Sequence, residues 1–267
     1  MERSMAESIE KMLQKTADAV NGRVHSAWLY GSIVWDDFRL GWSDIDWLVL
    51  TDREITESQA QALLTLRQAM LEKEPGNPYY RSFEGIIASL EEYRSRSFRR
   101  LVYWGTSGQR VTDRYVQDAF SAYELAKYGR CILGQADRSI FPAQSQEELI
   151  AAVRAHYGSI RAFAAQTDER LYSCGWLMDI ARCVYTLRCH GVIAKTQAGI
   201  WALENHIFPD EAPLCKALEI RRDPLAYKDR VDVQIWLSSL GPTVQRYADT
   251  LEKELSASVT SGPETDG

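Results

Sequence analysis

Residues 29–50 read LYGSIVWDDFRLGWSDIDWLVL: a Gly31–Ser32 pair closes one apolar run, and Asp44 and Asp46 open the next. In an extended strand, residues i and i+2 share a face, so the two aspartates project side by side while Ile45 and Trp47 go to the other face. Two carboxylates about 6 Å apart repel by roughly 3 kcal/mol at an effective dielectric of about 20, so one tends to stay protonated unless a cation intervenes. A solvated strand end would also tolerate the pair, and Asp-x-Asp alone does not separate the two readings. Mg²⁺ is the cation whose chemistry fits, because it takes one or two carboxylates and completes its shell with water and substrate phosphates. Gly31 has no Cβ and lets phosphate oxygens approach the backbone, and the Ser32 hydroxyl beside it can donate a hydrogen bond. Glu84 stands inside a third apolar run, SFEGIIASL, where a carboxylate is out of place unless paired or used. Three acids on adjacent strands form a metal and general-base constellation.

These residues need a scaffold, and the chain's periodicity outlines one. Residues 4–20 put Ile9, Met12, Leu13, Ala17 and Val20 at helical spacing behind a Ser N-cap. The runs SAWLYG and DIDWLVL read as strands, followed by a helix over 56–73 and a third strand over 82–90. The stretch SLEEYRSRSFRRLVYWGTSGQR has no clear period, and a helix is expected from 114 up to ILGQADRSIFPAQS, where Gly134 and Pro142 mark a domain boundary. From Gln146 onward the pattern is helical, over 146–166, 173–189, 196–206, 210–220 and 229–256. The fold class expected is α+β: a domain with a small mixed sheet and helices over 1–143, an all-α bundle over 144–256 and a disordered polar tail over 257–267.

Composition narrows the function. With 267 residues and 45% hydrophobic content, the chain can bury substantial cores. A net charge of −6 with scattered basic residues argues against a generic grip on nucleic acid. Cys131, Cys174, Cys183, Cys189 and Cys215 form no CxxC pair and read as small core residues in a reducing cytosol. No apolar run is long enough to span a bilayer, and a cytoplasmic, monomeric protein is expected. His25, His156, His190 and His206 show no metal-ligand spacing, and Trp176, Trp201 and Trp236 read as packing aromatics.

An apolar strand, Gly-Ser, a spacer and Asp-x-Asp in a second strand, here LYGS and SDIDWLVL with Ser43 in place, resembles the nucleotidyltransferase superfamily of DNA polymerase β type. Within it the chain is most similar to the aminoglycoside adenylyltransferases that modify streptomycin and spectinomycin, which carry a helical C-terminal domain. The resemblance implies that Asp44, Asp46 and Glu84 form the catalytic and metal site, with Glu84 either joining the metals or acting as base. It further implies two Mg²⁺ ions, ATP as co-substrate, and nucleotide binding by Gly31, Ser32 and Ser43. In the helical half, ARCVYTLRCHGVIAKTQAGIWAL resembles the family's Arg and Lys stations, placing Arg182 and Lys195 on the nucleotide phosphates. The acceptor implied is a small cationic hydroxyl-bearing molecule. Asp168 matches an aspartate of the streptomycin-accepting enzymes, Glu169 lies beside it, Tyr172 stands where the family has a drug-gripping aspartate, and Trp104 falls in an altered stretch, VYWGTSGQ. All four are expected to line the acceptor site. Two other readings stay open: transfer to a protein or another metabolite hydroxyl, and a partner-binding module of toxin and antitoxin type.

Overall fold

The computed structural model describes residues 1–105 and 108–260. The chain divides into two compact units, one of residues 1–38 and 43–143, the other of 39–42 and everything from 144 onward. The second unit therefore borrows four residues from the loop between Gly31–Ser32 and Asp44, which no contiguous division at 143 anticipates.

The first unit contains α1 (Arg3–Ala19), β1 (Val24–Leu29), β2 (Ile45–Thr51), α2 (Glu57–Lys73), β3 (Phe83–Ser89), α3 (Leu90–Ser95), β4 (Leu101–Gly105), β5 (Gly108–Thr112), α4 (Ala119–Tyr128) and β6 (Arg130–Gly134). The strands form one six-stranded sheet in the order β5-β4-β3-β2-β1-β6. Among the described residues only the β2/β3 pair is parallel, and it needs a crossover, which α2 supplies. Thr56 starts α2 in a capping box with Gln59, satisfying two backbone donors at once.

Strand alternation gives the sheet two different faces. Trp47 packs against Phe83 and Trp104, with ring centroids 5.1 and 5.2 Å apart, and the Trp104 indole N–H donates to Leu63 O on α2. On the opposite face Leu48, Leu50, Ile86, Ala88 and Leu101 join Trp28, Tyr93 and Phe141 in a second core. Asp46 and Glu84 are in phase with this second group, at the edge of an apolar layer.

Three sequence expectations are corrected. The stretch without clear period contains the β4/β5 hairpin, and the helix expected from 114 is α4 alone, followed by β6 paired antiparallel to β1. The helix expected over 229–256 is two helices, α10 (Val231–Ser238) and α11 (Gly241–Thr260). Pro242 supplies no backbone N–H and belongs in a first helical turn, so a new helix begins there. Because α11 runs to Thr260, the tail expected from 257 starts as helix; residues 261–267 lie outside the described residues.

In the second unit α6 (Tyr172–Cys189) is buried on most sides and contacts α5 (Gln146–Phe163), α7 (Lys195–Glu204), α8 (Ala212–Arg222) and α11. Arg161 of α5 reaches Asp249 and Glu252 of α11 at 2.6 and 3.0 Å. A short helix, α9 (Pro224–Tyr227), precedes α10. Trp42, from the borrowed segment, lies under the Arg221 guanidinium at 5.4 Å and beside Gly175, where an added Cβ would be 3.4 Å from its ring. Trp176, Trp201 and Trp236 each meet an aromatic ring or a lysine from their own unit. Cys174 and Cys183 are core residues as expected, but Cys189 and Cys215 are exposed. Among the described residues, no helix is long and apolar enough to cross a membrane.

Candidate active site

The register of the sheet assembles the acids. Antiparallel β1/β2 pairing sets Leu29 opposite Trp47, and Tyr30 N–H donates to Asp46 O at 3.0 Å, so the turn after β1 arrives at the Asp46 end of β2. That turn is a short 3-10 segment, Gly31–Ile33. Gly31 adopts φ +65°, and a Cβ there would overlap the Asp46 carboxylate, so glycine is required on two counts. The Ser32 hydroxyl is enclosed and has no hydrogen-bond partner among the described residues. In the parallel β2/β3 ladder Asp46 stands directly opposite Glu84. Asp44 sits just before β2, and Ser43 is buried beside it.

Electrostatically this end of the sheet is incomplete. Burial, followed by the nearby carboxylates of Asp44, Glu124, Glu84 and Asp118, pushes Asp46 well above the ordinary carboxylate range. Glu124, on α4, is itself buried and accepts from the Trp35 indole at 3.4 Å. Glu84 accepts a hydrogen bond from the Tyr103 hydroxyl at 2.9 Å. Arg67 of α2 donates to Phe83 O and Gly105 O at 2.9 and 3.2 Å; burial pulls it down, while Glu84 and Asp44 oppose that pull. Among the described residues, no three His, Cys, Asp or Glu side chains converge as a ready-made metal cage. Two carboxylates and an orphaned hydroxyl beside bare backbone fit a cation that brings other ligands with it, as Mg²⁺ does with a nucleotide.

In the helical unit, Arg182 and Lys195 are brought together by Asp179, which sequence reasoning missed. Asp179 is buried on α6 and lies 2.9 Å from Lys195 Nζ and 3.8 Å from Arg182 Nη2. Burial alone would raise its carboxyl; the two cations, with a smaller contribution from His156, outweigh that and lower it. Its spacing of three residues before Arg182 was the available signal.

The four acceptor-site candidates go different ways. Glu169 and Tyr172 line one cavity of about 380 Å³ within the helical unit, together with Trp42, Lys228 and Gln234. Asp168 is turned to local work: it accepts from Arg170 Nε at 2.7 Å and from Arg170 N–H and Ser173 Oγ, which hold its carboxyl below the usual range. Trp104 is corrected outright. It is 0% exposed and belongs to the core against Trp47, because strand alternation sends it to the face opposite Glu84. Its neighbour Tyr103 takes the place on the acid face.

No protein-family model matches the chain, and no curated protein matches it by sequence. Among solved structures it is similar to spectinomycin adenyltransferase AAD(9) from Enterococcus faecialis, determined with ATP and spectinomycin. The TM-score is 0.65 at 14% identity, covering 92% of this chain and 99% of that chain. A likeness that nearly spans both molecules at so low an identity is one of architecture, and the chain therefore has the fold of that adenyltransferase: a mixed sheet with helices, then a helical region.

Proposed function

We propose that the protein is an ATP-dependent O-adenylyltransferase that moves AMP from ATP to a hydroxyl of an aminoglycoside-type acceptor and releases pyrophosphate. The observation that carries the proposal is the Asp46–Glu84 register pair beside a glycine that only a bare backbone could occupy. Burial and the carboxylates of Asp44, Glu124, Glu84 and Asp118 all raise Asp46, which favours a functional role over a pair kept for stability.

Asp44 and Asp46 hold Mg²⁺, which when bound offsets charge on the triphosphate. Gly31, whose missing Cβ makes room for the Asp46 carboxylate, offers the nucleotide its backbone, and the Ser32 hydroxyl donates to a phosphate oxygen. Ser43, Arg182 and Lys195 also bind the nucleotide. Glu84 takes the proton of the acceptor hydroxyl as its oxygen attacks the α-phosphorus; the new O–P bond forms as the bond to pyrophosphate breaks, and the electron pair leaves with pyrophosphate. The Tyr103 hydrogen bond to Glu84 favours the base role over metal ligation, since it occupies one carboxylate oxygen. Glu169 and Tyr172 offer a cationic, ring-bearing acceptor one carboxylate and one aromatic surface.

The test is pyrophosphate release from ATP and Mg²⁺ across a panel of aminoglycosides, with spectinomycin included. Release that depends on one acceptor and falls about 10²–10⁴-fold in Glu84→Gln supports the reading. No acceptor-dependent release across the panel overturns the antibiotic acceptor, and release stimulated only by a protein or another metabolite moves the same chemistry to that hydroxyl.

A further inference from the structure

We propose that Tyr103 is a positioning residue for Glu84: its hydroxyl fixes one carboxylate oxygen so that the other faces the acceptor proton. The inference rests on the reading of Glu84 as the base.

Three independent features hold Tyr103 in this place. First, β3/β4 register sets Tyr103 opposite Ile86, so it is the diagonal neighbour of Glu84 on the face that also carries Asp46. Asp46, Glu84 and Tyr103 thus stand on three successive strands of one sheet face. Second, the phenol is braced on both sides. The Arg110 guanidinium lies 4.2 Å from the ring centroid, the Tyr115 ring is 6.3 Å away, and a Cβ on Gly105 would collide with the Tyr103 ring and hydroxyl. Gly105 is not at positive φ, so its small size serves that close approach rather than a turn. Third, Arg67 donates to Phe83 O and Gly105 O, tying together the strand ends from which Glu84 and the Tyr103 brace project.

The direction of the hydrogen bond is fixed as well. A phenol O–H donates and a carboxylate has only acceptors, so Tyr103 is the donor and Glu84 the acceptor. A carboxylate with two free oxygens rotates between equivalent poses. With Oε1 held 2.9 Å from the phenol, rotation is blocked and Oε2 is the proton acceptor. Tyr103 does not touch a reacting atom; it acts through Glu84.

The experiment compares the full-length wild type with Tyr103→Phe, Glu84→Gln and the double variant, using ATP, Mg²⁺ and the acceptor the wild type turns over. Tyr103→Phe keeps the ring and its packing and loses one oxygen. Its kcat should fall roughly 10- to 100-fold, with the KM for ATP within about twofold and the thermal midpoint unchanged. In the Glu84→Gln background the same change should cost less than about twofold, because the group it orients is no longer a base. A second readout needs no turnover: in ¹³C-glutamate-labelled protein, the carboxyl resonance that disappears in Glu84→Gln should shift in Tyr103→Phe. A wild-type kcat in Tyr103→Phe, an equal loss in both backgrounds, or an unmoved resonance each overturns the proposal. A wild type without turnover on any acceptor overturns the transfer reading and the role of Tyr103 with it; an active wild type beside an unaffected Tyr103→Phe overturns Tyr103 alone.

Discussion

Asp46 and Asp179 are both aspartates taken out of water, one in each unit, and they end in opposite states. Around Asp46 every electrostatic neighbour that matters is another acid, and its carboxyl is pushed up. Around Asp179 burial pushes the same way, but Lys195 and Arg182 overcome it and the carboxyl is held down. The protein supplies the counter-charges of the second arrangement from its own side chains. It has left the first unfinished, in a way that a cation arriving with its own oxygen ligands would finish. This contrast is what makes the Asp46 end of the sheet, rather than Asp179, the candidate site.

The largest effect that could break this contrast is at Asp46. Asp46→Asn changes almost no volume and replaces a carboxyl whose charged form burial and its acid neighbours disfavour, so in EDTA the thermal midpoint should hold or rise. Nucleotide turnover should drop by about 10³-fold or more. Loss of several degrees on heating would mean that Asp46 is already paired in the fold, and the contrast would fail. Next comes Asp179→Ala, which leaves two partly buried cations without their acid; the expected cost is about 3–5 kcal/mol by chemical denaturation. A cost under about 1 kcal/mol would mean that water, rather than Asp179, satisfies those cations.

Arg182→Ala sharpens the comparison, because Arg182 is read both as a partner of Asp179 and as a phosphate ligand. Loss of one charged donor costs about 1.5–3 kcal/mol, so calorimetry should show ATP and Mg²⁺ binding weakened roughly 10- to 150-fold. Unchanged affinity alongside lower stability would assign Arg182 to Asp179 alone. The smallest effect is in pH. Asp179 has a folded carboxyl below its ordinary value of 3.8, facing Lys195, Arg182 and His156, so its contribution to stability is complete above that value and fades as pH falls through the lower folded one. Wild type should lose more stability than Asp179→Asn as pH falls below about 4, and identical acid limbs for the two would show that the pairing is worth little.

Much of this site was legible in residues 29–50 because strand alternation and a glycine before a hydroxyl carry information at short range. Asp44, Asp46, Gly31 and Ser32 needed only that window. What was lost depended on phase or distance. In LVYWG the choice between Tyr103 and Trp104 required knowing that β4 pairs with β3 in one particular register, and the preceding SFRR gave no alternation from which to count. The two outer strands, β5 and β6, are largely exposed edges whose side chains obey no inside-outside rule, so they read as loop or helix end. Asp179 hid in an apolar helix because its second partner, Lys195, lies on the next helix, out of reach of any helical spacing. The break before α11 was readable from Gly241–Pro242, but the continuous apolar pattern on either side masked it.

The four residues 39–42 give the chain a particular order of assembly. Trp42 leaves the ribosome early, yet the Arg221 side chain that lies over it is made far later, after the whole sheet and most of the bundle. The strands around Asp46 can close from local and medium-range pairings soon after β6 appears, whereas the bundle closes a long loop to reach its own first segment. Synthesis therefore finishes the sheet before Gly175 and Arg221, the residues Trp42 packs against, have been made. A chain that began at Gln144 would never meet this residue, so the bundle is an autonomous unit in space but not in time.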